Sequence, residues 1–175
     1  MAIHRRCQSG FTLVELLIVL SIVGLLAATS MAIYRSARVR GGEANAIATL
    51  QAITQAQFSF AQLCGNQRYA ASMSVLTTPA PSTGHAFLSP DMGVDPLSKG
   101  GYRFTLGGTA AGDTQACNGG ALVESYQLTA DPERPSVSGV RYFGTNTDRV
   151  MYEDGETFTG NMPESGPPAH GAEMK

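Results

Sequence analysis

The side chains able to do chemistry are few and widely spaced in this 175-residue chain. Its three histidines fall at His4, His85 and His170, and no serine, cysteine or threonine lies in a recognisable nucleophile context. Asp91 and Asp95, four residues apart in SPDMGVDPLS, are the best candidates for a small-ion site. A calcium loop usually offers more carboxylates at tighter spacing, so these two read as solvated loop acids. No cysteine pair has the spacing of metal ligands, and neither a metal nor a cofactor is expected. The glycine-rich stretch GGTAAGDTQACNGGA lacks the G-x-x-x-x-G-K-[ST] pattern and any following helix, which argues against a phosphate cradle.

Two features survive that filter. The first is Glu15, a full negative charge inside GFTLVELLIVL, near the start of an apolar run from Phe11 to Ile33 that holds no other ionisable residue. A carboxylate in the middle of a membrane segment costs about 2.5 to 3.5 kcal/mol, so it needs a compensating partner or a route to water. The second is the set of three cysteines, Cys7, Cys64 and Cys117. An odd number flags a free thiol in an exported protein, but a cut between Cys7 and Cys64 leaves an even pair. A Cys64–Cys117 disulfide then suits an oxidising compartment, the alternative being two buried reduced thiols.

The elements that must carry these residues follow from hydrophobic patterning. At about 1.5 Å per residue, Phe11 to Ile33 makes a helix of roughly 35 Å, enough to cross a bilayer core of about 30 Å. Upstream, MAIHRRCQSG is short and basic through Arg5 and Arg6, in the manner of an export signal. An ordinary cleaved signal peptide would need a clean apolar centre; Ser30-Met31-Ala32 passes as its cleavage site, but Glu15 spoils the centre. Beyond Tyr34 the helix continues as an amphipathic one, with Ile47, Leu50, Ile53, Ala56, Phe60 and Leu63 on one face and Arg, Glu, Gln and Thr on the other. Gly41-Gly42 suggests a bend or soft point without a break, and the LCGNQ stretch a C-terminal cap near Leu63 to Gly65.

Prolines at 79, 81, 90 and 96 divide the next segment into short pieces, which read as a connecting loop. Alternating patterns then mark strands: Tyr102, Phe104 and Leu106 in GYRFTL, Tyr126, Leu128 and Ala130 in ESYQLTA, and a last pair, VSGVRYFGT and RVMYEDG, around the turn Asn146-Thr147-Asp148. The fold class is therefore α+β: a long N-terminal helix, transmembrane in its first half and amphipathic in its second, packed on a small antiparallel sheet of three to four strands. The expected organisation is a leader at 1–10, a membrane or filament-core helix at 11–33, an amphipathic half at 34–64, a loop at 65–100, the sheet at 101–155 and a flexible tail at 156–175. With 12 Lys+Arg against 14 Asp+Glu and no block of like charges beyond the first residues, no nucleic-acid site is visible.

Gly10 followed by Phe11-Thr12-Leu13-Val14-Glu15 and the apolar run closely resembles the processing signature of type IV pilins and the type II secretion pseudopilins. The resemblance covers roughly the first twenty-five residues strongly, and the long helix with C-terminal strands agrees with pilin architecture. It implies that a prepilin peptidase of the membrane cuts between Gly10 and Phe11 and methylates the new amine of Phe11. It also implies that Glu15 serves filament assembly. Four residues from Phe11, or about 6 Å of helix rise, Glu15 of one subunit would receive the Phe11 ammonium of its staggered neighbour, replacing two uncompensated charges by one contact. A glutamate snorkelling to the cytoplasmic face is the simpler alternative.

The resemblance further implies a non-enzymatic subunit that waits as a single-pass protein in the bacterial inner membrane with a periplasmic head. It then joins a surface pilus or a periplasmic pseudopilus. Its partners would be other copies of itself or related pilins, the peptidase, the inner-membrane assembly platform and, before assembly, the lipid bilayer. An exported enzyme behind an ordinary signal peptide is the reading from a different class. Many pilins carry a proline eight residues after a glycine equivalent to Gly24, where this chain has Ala32, so no kink is obligatory there. Thr29 and Ser30 can hydrogen-bond backward to helix carbonyls. Intact-mass analysis of the mature protein is expected to show loss of the first ten residues and gain of one methyl group; a mature terminus near Ile33 would establish the ordinary signal peptide instead.

Overall fold

A computed structural model describes residues 11–174, and of Ala32 only the backbone. The expected leader at 1–10, Gly10 included, lies outside the described residues. The chain divides into two units, Met1–Ala37 and Arg38–Lys175. Helix α1 (Leu13–Leu63) is continuous through the position of Ala32, where proline would have removed a hydrogen bond.

In the first unit the described side chains are exposed, and the most apolar 18-residue window of α1 has a mean hydropathy of 2.5 and no residue buried. By length and composition this stretch can cross a membrane once. Its hydroxyls are satisfied within the helix, as a lipid environment demands. Thr29 and Ser30 both donate to the Leu26 carbonyl, at 3.0 and 2.8 Å, and Ser21 donates to the Leu17 carbonyl at 2.8 Å.

The second unit is a sheet covered by the rest of α1. β1 (Tyr69–Ala70), α2 (Met73–Thr77), a single 3-10 turn (Pro90–Met92) and β2 (Leu97–Lys99) precede the long hairpin of β3 (Tyr102–Gln115) and β4 (Ala121–Pro132). β5 (Tyr142–Asn146), β6 (Met151–Asp154) and β7 (Ala172–Glu173) complete a seven-stranded antiparallel sheet in the order β2-β3-β4-β5-β6-β7. β1 pairs with the start of β4, Tyr69 against Val123 and Ala70 against Leu122. The fold class read from the sequence is thus present with a larger sheet than three to four strands. The additional strands are two or three residues long, too short for a period-2 pattern to reveal.

The inward stripe of α1 is Ala46, Leu50, Ile53, Ala56 and Phe60, and it ends on Cys64, whereas Leu63 points out with 62% of its surface exposed. These residues share one core with Tyr102, Phe104, Tyr126, Leu128, Ala130 and Phe143 of the sheet. Not every polar residue lies on the outer face. Gln57 is fully buried because its amide imitates a strand: it accepts from the Ala70 N–H at 2.8 Å and donates to the Ala70 carbonyl at 2.9 Å. At Gly42 the helix passes so close to the loop after β4 that a Cβ would stand 2.2 Å from the Ser138 carbonyl oxygen, so this glycine serves approach. Gly65 is likewise a contact glycine against the Arg68 carbonyl, and the left-handed positions that end the helix fall on Asn66 and Gln67.

Two further expectations change. Residues 65–100 hold two short strands, a short helix and a 3-10 turn instead of a plain loop, and the segment 156–175, expected as a flexible tail, is anchored on the sheet at a few points. Phe158 is fully buried, Met162 nearly so, and β7 pairs with β6 through Tyr152–Glu173 and Glu153–Ala172. His170 stacks on Phe158 with ring centroids 4.9 Å apart and contacts the Asp154 carboxylate at 2.6 Å. Two or three apolar anchors suffice to fold proline- and glycine-rich chain onto a sheet, and so sparse a pattern has no period.

The helix is tied to the sheet by Glu43. Its Oε1 accepts from the Val140 and Arg141 N–H groups at 3.0 and 3.3 Å, and its Oε2 accepts from Arg141 Nη2 and Nε at 2.8 and 3.0 Å. Arg141 also reaches Glu153 on β6. Burial alone would raise the Glu43 carboxyl, but the Val140 amide and the Arg141 guanidinium outweigh it and hold the group below its ordinary value of 4.5. Its stabilisation is therefore full above that value and is lost as pH falls through the lowered one. Glu43→Gln is expected to cost about 3 kcal/mol, the low end for breaking a buried pair because Arg141 keeps access to water. It should also flatten the acid limb of unfolding; an unchanged acid limb in chemical denaturation would contradict this role.

Candidate functional site

The first candidate site is the start of α1. Thr12 stands just before the helix, and the Glu15 N–H donates to Thr12 Oγ1 at 3.2 Å. In return Glu15 Oε2 accepts from the Thr12 hydroxyl at 3.2 Å and from the Thr12 N–H at 3.4 Å. This is a reciprocal capping box: each side chain satisfies a backbone donor that the first helical turn leaves free. The carboxylate also sits at the positive end of the helix dipole. Part of the compensation for Glu15 therefore comes from its own chain. The T-x-x-E spacing of Thr12 and Glu15 is the sequence signal for this cap, and Thr12 is the residue that the pattern of chemistry alone passed over.

A carboxylate can accept about four hydrogen bonds, and only Oε2 is engaged among the described residues. Oε1 stays available to an external cation. Phe11, one residue before the cap, is 74% exposed.

The second site is the covalent one. Cys64, at the end of α1, and Cys117, in the loop between β3 and β4, form a disulfide with Cα atoms 4.9 Å apart and a sequence separation of 53. A backbone hydrogen bond from the Cys117 N–H to the Cys64 carbonyl at 3.0 Å runs beside it. The next residue, Asn118, donates from its amide to the Val75 and Thr78 carbonyls at 3.0 and 3.1 Å, fixing α2 to the same loop. The glycine-rich stretch thus belongs largely to the hairpin itself, with β3 running to Gln115 through a register irregularity after Thr109.

The remaining polar candidates disperse. Asp91 is exposed and paired to Lys99 at 2.9 Å, and hydrogen bonds from Ser89 and from the Lys99 ammonium hold its carboxyl below the ordinary range. Asp95 instead accepts from the Met73 N–H at the start of α2 at 2.6 Å, and burial raises its carboxyl. The two acids serve different contacts and do not converge on an ion. Among the described residues no group of three or more His, Cys, Asp or Glu side chains is placed to hold a metal. His4 lies outside the described residues, and His85 and His170 occupy separate loops.

A family model described as the prokaryotic N-terminal methylation motif matches residues 5–31. That motif is the hallmark of type IV pilins and pseudopilins, and the match takes in Gly10, Phe11, Thr12 and Glu15. Comparisons with curated proteins and with solved structures found no match. For the second site, Cys64→Ser with Cys117→Ser is expected to lower stability by about 4 kcal/mol at most, the chain-entropy value for a loop of this length. Denaturant titration with and without reductant measures it; coincident curves, or free thiols in unreduced protein, would contradict the bridge.

Proposed function

We propose that this chain is a structural subunit, not an enzyme, of a type IV pilus-like surface filament built from inner-membrane monomers. The observation that carries this reading is the methylation motif at residues 5–31 leading directly into an apolar helix with a capped glutamate in its first turn. In this reading prepilin peptidase cuts between Gly10 and Phe11 and methylates the Phe11 amine, creating a cation beside the one anion of the apolar part of α1. The monomer waits as a single-pass protein with its head in the periplasm, and the assembly platform draws α1 out of the bilayer into a core of other copies.

Within that core the ammonium of Phe11 meets Oε1 of Glu15 on a neighbouring copy, while Oε2 stays with Thr12. Such a charge-assisted contact fixes axial register, because a shift of one residue, about 1.5 Å, would already separate the pair. The same precursor chemistry serves the pseudopilus of a type II secretion system. A retraction ATPase gene beside this one supports the pilus, and a secretion gate gene supports the pseudopilus.

The test separates insertion from assembly. Glu15→Val removes a charge costing about 2.5 to 3.5 kcal/mol in the bilayer, so processed monomer in the inner-membrane fraction is expected at normal level or above. Assembly is expected to fail, because every incoming subunit brings a buried ammonium with no carboxylate, at about 3 to 5 kcal/mol per interface. Fractionation quantifies the monomer and surface shearing the filaments. Normal filaments built wholly from the mutant subunit would rule the reading of Glu15 out.

A further inference from the structure

The head carries a groove of about 500 Å³ between α1 and the β5–β6 turn, lined by Gln51, Thr54, Gln55, Asp148, Arg149 and Met151. Gln51, Thr54, Gln55 and Phe58 follow at i, i+3, i+4 and i+7, so they form one ridge of α1 beside the buried stripe. The opposite wall is the turn after β5. There Arg149 adopts φ 63, a left-handed conformation that side chains larger than glycine or asparagine rarely take. The turn that imposes it is closed by the Arg149 N–H donating to the Asn146 carbonyl at 2.9 Å. The result is a guanidinium held 4.5 Å from the centroid of the Phe58 ring.

Arg149 forms no ion pair among the described residues, in contrast to Arg68 and Arg141. The neighbouring Asp148 does not pair with Arg149; its Oδ2 accepts from the Gly166 N–H at 2.6 Å. Deeper in, the Tyr126 phenol sits beside the Thr54 hydroxyl, yet neither oxygen completes a well-formed hydrogen bond among the described residues, although both are buried. Both oxygens are out of reach of the groove, whose accessible polar side chains are Gln51, Gln55, Asp148 and Arg149.

The lining defines the ligand. A fixed, exposed guanidinium on an aromatic platform matches a carboxylate through two parallel hydrogen bonds. Two side-chain amides one helical turn apart match a pair of ligand hydroxyls. Met151 is the one apolar side chain of the lining, and the Phe58 face is already covered, so an aliphatic or aromatic ligand finds little to bury. We propose that this groove binds an acidic sugar of the uronate type, with its carboxylate on Arg149 and ring hydroxyls on Gln51 and Gln55. The site lies wholly on the head and does not depend on whether the chain forms a pilus, a pseudopilus or neither.

The experiment uses the full chain in a detergent without a sugar headgroup and reads saturation transfer from protein to glucuronate by NMR, with glucose and inorganic phosphate as competitors. Glucuronate is expected to receive saturation and to be displaced at least tenfold less well by either competitor, since each offers only half of the required chemistry. Arg149→Gln is expected to weaken binding tenfold or more. Arg149→Gly, which relieves the left-handed strain and so preserves the turn, should lose binding equally, separating recognition from misfolding. Gln51→Ala with Gln55→Ala should weaken glucuronate while leaving the helix intact. Absence of transfer, displacement by phosphate as efficient as by glucuronate itself, or unchanged binding in Arg149→Gly would each overturn the proposal.

Discussion

The apolar surface of α1 between Leu13 and Ile33 has to leave water, and within the described chain nothing removes it: its most apolar window has no buried residue. Burial of apolar area is worth about 25 cal/mol per Å², so an uncovered stretch of this length strongly drives transfer into lipid or against other helices. That one requirement sorts the rest of the molecule. The hydroxyls of Ser21, Thr29 and Ser30 turn back onto helix carbonyls, and the only charge, Glu15, is placed where the first helical turn leaves backbone donors free. A segment suited to lipid and a segment suited to a close-packed protein core obey the same rule. In both, every polar group must find a partner inside the dry phase.

The second unit solves a different problem with the remainder of the same helix. From Arg38 onward α1 needs only one apolar stripe, and the sheet supplies its cover. The Glu43–Arg141–Glu153 cluster, the strand-like amide of Gln57 and the Cys64–Cys117 bridge hold that stripe in place near its start, middle and end. A helix docked at three separated points on a sheet has little freedom to roll or slide. In the proposed filament that would let force applied along α1 reach the head without unfolding it, because the disulfide closes the far end covalently and survives the loss of any single polar contact.

Patterning along the sequence carried much of this. The three- and four-residue recurrence from Leu50 to Phe60 located the inward face, and strict alternation located the central strands, since both are regular elements with one buried side. Cysteine parity pointed to the one bridge that geometry allows among the described residues. What stayed hidden was whatever depends on partners distant in sequence. Gln57 looks like a surface residue until Ala70 is beside it, and Gly42 looks like a flaw in a helix until Ser138 lies against it. Phe158 and β7 were invisible because a tail with two apolar anchors has no period. Thr12 was legible as the first member of a T-x-x-E box, whose local hydrogen bonds a charge cost for Glu15 alone does not contain.

The central claim is that Glu15 is shared between its own Thr12 cap and the amine of another copy. Filaments co-assembled from two populations, one labelled with nitrogen-15 at phenylalanine and the other with carbon-13 at the glutamate carboxyl, report this contact directly by solid-state NMR. The methylated Phe11 amine resolves from the amides, and magnetisation transfer between it and a carboxylate can arise only between different subunits. The account predicts transfer to a single ionised carboxylate, abolished when the carbon-labelled subunit carries Glu15→Gln. Filaments that form normally yet give no transfer, or that give it to a protonated carboxyl, would contradict it.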